Sequence, residues 1–149
     1  KNRRDFSLEP TGPTILDLTK AKGMEVVAVG KIEDIFEHRG MTRTDHTTNN
    51  HDGIEKTIQF LKDDFEGLLF TNLVDTDALY GHRNDVEGYG KALEYFDSKL
   101  PVTHAGKTIR EGVDLGVRKT FADLGQTISD YLGLDAHFEA ESFWKEIAK

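Results

Sequence analysis

Apolar and polar residues follow one another in blocks that predict an alternation of helices and strands. Apolar residues recur at helical spacing over Thr14–Lys22 and then run without a break over Met24–Val29, between Gly23 and Gly30. The first pattern predicts a helix. The second predicts a buried strand, because β-branched residues bounded by glycines are typical of strands. A short helix is predicted next, over Lys31–Phe36.

The same order repeats farther along the chain. Arg39–Asn50 is polar and has no periodicity, which predicts a loop that the Asp52-Gly53 pair ends. A helical stripe then extends from Ile54 to Phe65, and an apolar run over Leu68–Val74 predicts a second buried strand. This repeated order predicts an α/β fold, in which a mostly parallel sheet is covered by helices.

Two further helices are predicted in the second half of the chain. The first covers Asp85–Lys99 and ends before Pro101, and the second covers Phe121–Leu132. The stretch between them has no strong pattern. The apolar stripe of the first helix consists of Val86, Tyr89, Leu93 and Phe96.

Composition narrows the class of protein. The 149 residues suit one domain, yet only 37% of them are hydrophobic, which indicates a small or incomplete core. A net charge of −8 argues against a general nucleic-acid binder, because phosphate binding needs a basic surface. The absence of cysteine excludes disulfides and thiol nucleophiles. No apolar run has the length of a membrane span or a signal peptide, so we expect a soluble, cytoplasmic protein.

The strongest chemical signal is the segment Asp75–His82, which directly follows the second predicted strand. Ligands bind beyond the carboxyl ends of strands in open α/β sheets. Two carboxylates, Asp75 and Asp77, and the imidazole of His82 are donors that suit Mn²⁺, Zn²⁺ or Fe²⁺. Such an ion would neutralise the charge of a phosphoryl group. The alternative is a polar loop with an aspartate cap before the next helix.

Charged residues near the predicted strand ends are also open to two interpretations. Arg83 would either hold a phosphate or pair with Asp85, which is placed to cap the following helix. Lys31 follows the first strand and would either meet an anionic substrate or pair with Glu33 or Asp34.

A second group of candidate ligands, Asp45-His46-Thr47 and His51-Asp52, lies in the polar loop. No apolar residues frame it, so these residues are predicted to be solvated. The remaining histidines lack a partner at metal-ligand spacing and are expected at the surface. They are His38, His104 and His137.

Four segments together resemble the bacterial phosphopentomutases, in that family's order and over nearly the whole chain. They are Asn2–Pro10, Val27–Phe36, Phe70–Arg83 and Thr120–Ile128. The resemblance implies part of an alkaline-phosphatase-like α/β core. It also implies an isomerase of nucleotide metabolism that interconverts ribose or deoxyribose 1-phosphate and 5-phosphate. In that family an active-site phosphothreonine acts beside two Mn²⁺ ions.

Individual roles follow from the same resemblance. Asp77 and His82 match two of the family's metal ligands, and Lys31 matches a position near the pentose phosphate substrate. Thr76 departs from the family, which usually has an aromatic residue between the two aspartates. No catalytic residue is assigned, because the segment that carries the nucleophile has no counterpart here.

The other departures are absences. The N-terminal nucleophile segment, most of the cap domain and a stretch near residues 100–106, which carries the remaining metal ligands, have no counterpart. We therefore predict that residues 1–149 form one partial catalytic core domain that is inactive alone. Its partners would be a pentose phosphate and the rest of its own catalytic domain, not nucleic acid or a membrane. The alternatives are a non-catalytic half-domain that binds a partner and another phosphomutase of the superfamily.

Overall fold

The computed structural model describes residues 6–99 and 108–149. The chain divides into two compact units, Lys1–Leu100 and Pro101–Lys149. None of the helices in these two described ranges is both long and apolar enough to cross a bilayer.

The first unit alternates helices and strands. Its elements in chain order are α1 (Ile15–Ala21), β1 (Glu25–Val29), α2 (Ile32–Ile35), β2 (Arg43–Asp45), α3 (Asn50–Phe60), β3 (Gly67–Thr71) and α4 (Val86–Lys99). A single π-helical turn and a 3₁₀ turn lie between β3 and α4. The predicted helices and both predicted strands are present, with boundaries that differ by a few residues.

The three strands form one parallel sheet in the order β2–β1–β3. In its register, Val27 of β1 lies between Arg43 of β2 and Leu69 of β3. This architecture confirms the predicted α/β class with a parallel sheet. The predicted loop over Arg39–Asn50 is wrong at β2, because this three-residue polar edge strand pairs through its backbone and leaves no apolar pattern.

The core is centred on β1, whose residues Val26–Val29 are at most 1% exposed. Leu16 of α1 and Ile32 of α2 pack with Val26 and Ala28 on one face of the sheet. On the other face, the Thr57 hydroxyl of α3 lies 2.8 Å from the Thr71 hydroxyl of β3. Helices therefore cover both faces of the sheet, as parallel sheets require.

Helix α3 begins four residues earlier than predicted. The Asn49 side chain accepts a hydrogen bond from the backbone N–H of Asp52 at 2.9 Å, which caps the helix N-terminus. The loop predicted to end at Asp52-Gly53 ends earlier, because both residues lie inside the helix. Glycine is nevertheless useful at position 53, since a Cβ there would lie 3.0 Å from Leu73 Cδ2.

The second unit contains α5 (Ala122–Leu132), which confirms the predicted helix, and α6 (Trp144–Ile147). Asp123 is only 3% exposed and pairs with Arg118 at 3.1 Å. The backbone N–H of Glu141 donates to the same carboxylate at 3.0 Å. This hydrogen bond, helped by Arg118, lowers the pKa of Asp123. The tail is attached by Trp144, whose ring lies 4.8 Å from that of Tyr131.

Candidate functional site

The carboxyl ends of all three strands meet at one edge of the sheet. Gly30, directly after β1, has a φ of +84°, and a Cβ there would lie 2.5 Å from the carbonyl oxygen of Asn72. The same Cβ would lie 3.5 Å from Thr47 Oγ1. Only glycine allows this close approach of the segments that follow the three strands. Lys31 comes next in the chain and is exposed at this edge.

The segment after β3 folds into a π-helical turn over Thr76–Tyr80 and a 3₁₀ turn over Gly81–Arg83. Single π-turns are rare and are frequent at functional sites. The Asp85 carboxylate accepts a hydrogen bond from the Gly88 N–H at 2.8 Å, which confirms its predicted capping role. Arg83 is exposed and forms no ion pair with Asp85 within the described part of the chain.

Asp77 and His82 come together on these turns. Asp77 Oδ2 lies 3.3 Å from His82 Nε2, and the two side chains are 78% and 75% exposed. Oxygen and nitrogen ligands that share one transition-metal ion lie about 3.0–3.4 Å apart, given bonds of about 2.1 Å. The separation and chemistry of these two donors therefore fit one divalent ion.

Asp75 does not contact His82 as Asp77 does. It forms two hydrogen bonds with Asn50, which we call the Asn50–Asp75 latch. The Asp75 carboxylate accepts from the Asn50 backbone N–H at 2.7 Å, and the Asn50 side-chain oxygen accepts from the Asp75 N–H at 2.9 Å. Asn50 is only 6% exposed. The latch fixes the start of the π-turn to the N-terminus of α3. Sequence reasoning missed Asn50, because an asparagine in a polar stretch carries no distinguishing pattern.

The structure does not bring the remaining candidates to the Asp77–His82 pair. Within residues 6–99 and 108–149, no group of three or more His, Cys, Asp or Glu side chains could hold a metal ion. Lys31 shares the edge of the sheet but forms no hydrogen bond or ion pair with Asp77 or His82 in the described ranges.

The candidate ligands in the polar loop do not face one another, and each contacts a different side chain. Asp45 pairs with Lys56 at 2.8 Å, which raises the pKa of that lysine, and His46 lies 3.2 Å from Glu33. The ring of His51 stacks on Tyr95 at 3.8 Å.

The three isolated histidines also differ in their surroundings. His38 Nδ1 lies 3.1 Å from Glu33, and their hydrogen bond lowers the pKa of Glu33 and raises that of His38. His137 is 89% exposed and lies 3.5 Å from Asp135. His104 lies outside the described residues.

Comparison with known proteins identifies the family that this chain matches. A family model described as the Metalloenzyme superfamily matches residues 14–103. This match contains the whole parallel sheet and the Asp77–His82 pair.

Curated relatives named phosphopentomutase match more of the chain. Those of Acetivibrio thermocellus and Alkaliphilus oremlandii are 43% and 41% identical to it, over 95% and 99% of its length. That of Carboxydothermus hydrogenoformans is 44% identical over 99%. These matches cover only 45%, 47% and 47% of the relatives, so the chain spans about half the length of the curated relatives it matches.

The matches also reveal a difference within the aligned span. The alignment with the Alkaliphilus oremlandii relative extends over 183 positions, which exceeds the 149 residues of this chain by 34. At least 34 of the aligned positions therefore hold residues of the relative that have no counterpart in this chain. We predicted such a missing stretch near residues 100–106, and that position lies outside the described residues.

Proposed function

The chain belongs to the Metalloenzyme superfamily, and on that premise we propose that it forms part of a phosphopentomutase. Such an enzyme would interconvert the 1-phosphate and 5-phosphate of ribose or deoxyribose. The curated relatives that carry this name support the assignment at 41–44% identity. The one structural observation that carries it is the 3.3 Å contact between Asp77 and His82 at the carboxyl edge of the sheet.

We propose that Asp77 and His82 hold one divalent ion, and that this ion is Mn²⁺ in the complete enzyme, beside a second one. The ion would supply positive charge against a phosphoryl group. Asp77 would contribute a carboxylate oxygen and His82 a neutral imidazole nitrogen, both of which Mn²⁺ accepts. The latch would keep Asp77 in place, because it fixes the residue at which the π-turn begins.

Lys31 is proposed to bind the substrate through its charge. It directly follows Gly30 at the carboxyl end of β1, and its exposed ammonium is free to meet a phosphate as a compact point charge. In the complete enzyme, Lys31→Ala should raise the KM for the pentose phosphate, with less effect on metal binding. A change in Mn²⁺ affinity equal to that of Asp77→Ala would contradict this assignment.

We further propose that the 149-residue chain is one partial catalytic core domain and is inactive alone. It has no assigned nucleophile, and its described residues supply only two donors to the ion. The expected result is no Mn²⁺-dependent conversion of ribose 1-phosphate by the purified chain. Measurable turnover by this chain would overturn the proposal.

Metal binding can be tested directly on the chain with Mn²⁺ and electron paramagnetic resonance. We expect weak binding, because two ligands leave most coordination positions to water, and we expect Asp77→Ala or His82→Ala to abolish it. The chain offers a matched control in Asp135 and His137, an exposed carboxylate–imidazole pair 3.5 Å apart. Loss of binding in His137→Ala, or its retention in Asp77→Ala, would contradict the assignment.

The alternative functions make different predictions. A non-catalytic half-domain would bind its partner without Mn²⁺, and it is favoured by the exposed apolar stripe of α4. Another phosphomutase of the superfamily would convert glycerate phosphates in preference to pentose phosphates. A substrate panel applied to the complete enzyme separates this second alternative from the pentose phosphate assignment.

A further inference from the structure

The Glu33 carboxylate of α2 contacts two imidazoles. Its Oε1 lies 3.1 Å from His38 Nδ1, and its Oε2 lies 3.2 Å from His46 Nε2. The Glu33 side chain is 20% exposed, whereas both rings are well exposed. His38 follows α2 and His46 follows β2. One carboxylate therefore joins the end of α2 to the segment after β2, and we call these two contacts the Glu33 clasp.

The segment that the clasp holds has an uncommon backbone conformation. Glu37 and His38 have φ values of 49° and 60°. These values lie in the left-handed region that residues other than glycine rarely adopt. The His38 N–H donates to the Glu33 carbonyl at 2.9 Å, so the backbone and the side chain of Glu33 both hold His38. Helix α2 has only four residues, and so short a helix depends on tertiary contacts to stay in place.

Lys31 lies at the N-terminus of this helix, where its side chain forms no capping hydrogen bond. The Gly30 N–H donates to the Asp45 carbonyl at 2.9 Å, between the carboxyl ends of β1 and β2. Lys31 and His46 are the next residues of the two segments, so the clasp closes directly beyond this hydrogen bond. Lys56 of α3 fixes the second segment, because its ammonium contacts the His46 carbonyl and the Asp45 carboxylate. A movement of α2 away from His46 would therefore displace Lys31.

The charges around the clasp make it sensitive to pH. Glu33 also accepts a hydrogen bond from the Thr44 side chain of β2. The other charged groups nearby belong to α2, to the turn after it, to β2 and to α3, and they are Asp34, Glu37, Asp45, Asp52 and Lys56. The last three pair with one another, so the acidic residues of α2 and its turn act mainly on His38.

The sign of the pH dependence follows from the two pKa shifts. The hydrogen bond between them lowers the pKa of Glu33 and raises that of His38 above its ordinary value of 6.5. The contribution of His38 to stability is complete below about pH 6.5 and is lost as the pH rises through the folded-state pKa. That of Glu33 is lost in acid. The clasp is therefore strongest between about pH 4.5 and pH 6.5.

We propose that Glu33 is a positioning residue for Lys31, because its contacts with His38 and His46 fix α2 to the segment that follows β2. Glu33 itself would not touch the substrate. The clasp stands on its own geometry, whereas its consequence for a pentose phosphate rests on the proposed function of Lys31. The position of Lys31 would be best defined when the His38 imidazole is charged, and an anionic substrate would then gain most from the clasp.

The first test uses the 149-residue chain without Mn²⁺ or substrate and compares it with Glu33→Gln, which removes the charge but keeps the shape. The Ile35 N–H donates to the Lys31 carbonyl and the His38 N–H to that of Glu33. At pH 6 we expect both amides to exchange about tenfold faster in the variant, the factor of one charge-assisted hydrogen bond. The matched control is Asp135→Asn, which removes the charge from an exposed carboxylate–imidazole pair and should change neither amide.

The His38 ring and a second variant keep the proposal falsifiable. The NMR titration midpoint of His38 should lie above pH 6.5 in the chain and fall in Glu33→Gln. His46→Ala leaves the contact between Glu33 and His38 intact and should speed exchange at Ile35 by a smaller factor. Unchanged exchange at Ile35 and His38, equal acceleration throughout β1, or an unchanged His38 midpoint would each overturn the clasp.

The consequence for the substrate is tested in the complete enzyme through the pH profile of the KM for ribose 5-phosphate. At pH 6, Glu33→Gln should raise this KM about fivefold with little change in kcat, because only binding is weakened. The ratio of the two KM values should shrink by pH 9, where His38 is neutral, and the titration of the substrate phosphate cancels in that ratio. A ratio that is independent of pH, or a loss confined to kcat, would overturn the positioning role. If Lys31→Ala leaves the KM unchanged, the proposed function of Lys31 fails, and the exchange experiment still decides the clasp.

Discussion

Strand β1 and helix α4 carry equally regular apolar patterns, but only the strand is buried. Residues Val26–Val29 of β1 are at most 1% exposed, whereas the stripe of α4 is 41–83% exposed. The strand has a neighbour on each edge and helices on each face. The helix packs on α3 and on the π-helical turn, and its apolar stripe has no covering partner among the described residues.

The difference shows what an apolar pattern specifies. The pattern fixes which side of an element must be covered, because burying that side is the main source of stability. It does not identify the element that covers it. For β1 the covering residues lie within the same 149 residues, and for α4 they do not lie in the described ranges. The low hydrophobic content of 37% is consistent with a core of which one side lacks its partner.

The largest expected effect comes from removing a side chain that covers β1. Leu16 is 0% exposed, so Leu16→Ala should cost about 2–5 kcal/mol of unfolding free energy. Leu93→Ala removes the same atoms from α4 but should cost less than about 1 kcal/mol, since this leucine is 51% exposed. Urea unfolding followed at the amides of β1 measures both. Equal losses of unfolding free energy in the two variants would show that Leu93 of α4 is as well covered as Leu16.

The next effect concerns the latch, which attaches the segment after β3 to α3. Asp75→Ala leaves the buried Asn50 without its carboxylate partner, and we expect a cost of about 1–3 kcal/mol. Amide exchange should accelerate in the turns over Thr76–Arg83 before it does in β1. Asp77→Ala is the control, because its carboxylate is 78% exposed and should change stability little. Uniform acceleration through the whole unit would contradict a local role.

Much of the first unit could be predicted from its sequence, because its elements obey strong local rules. An apolar run between two glycines predicted β1, an apolar run after Gly67 predicted β3, and helical spacing predicted α1, α3 and α4, as it did α5 in the second unit. Strand β2 could not be found in this way, because an edge strand of Arg, Thr and Asp pairs by its backbone alone.

The candidate site was predictable only in part. The spacing of Asp77 and His82 indicated metal chemistry, and the fold places their donor atoms 3.3 Å apart. The hydrogen bonds of Asp75 with Asn50 could not be predicted, because the two residues lie 25 positions apart in sequence. A tertiary contact between two polar residues leaves no periodic trace along the chain. The roles of Asp77, His82 and Lys31 stay predictions until the metal and substrate tests are made.

A smaller effect tests the helix that covers β1 on one face. Asp17 closes the capping box of α1, since the Thr14 N–H donates to its carboxylate at 2.7 Å and Arg39 lies 2.9 Å away. Burial opposes its ionisation, but these hydrogen bonds outweigh burial and lower the pKa of Asp17. We expect Asp17→Asn to cost about 1 kcal/mol at pH 7.

The sign of its pH dependence follows from the lowered pKa. A carboxylate with a lower pKa in the folded state adds stability above its unfolded pKa, and that stability is lost as the pH falls through the folded pKa. The difference between the wild-type chain and Asp17→Asn should therefore be constant near neutrality and shrink below about pH 4. A difference that grows in acid would contradict the capping role. Urea titrations at pH 7 and pH 3 decide the sign.

The smallest effect is expected on α4 itself, because a helix with an open apolar side depends more on local contacts. Lys91 Nζ lies 2.6 Å from Glu87 Oε1, one helical turn away, and both side chains are well exposed. Glu87→Gln should cost about 0.3–0.5 kcal/mol, and 1 M NaCl should remove most of the difference by screening. Because α4 packs mainly on α3 and on the π-helical turn, not on the sheet, the loss should appear as faster amide exchange within Val86–Lys99 and not in β1. If β1 responded equally, α4 would be coupled to the core as tightly as α1 and α2, and the contrast between the two regions would fail.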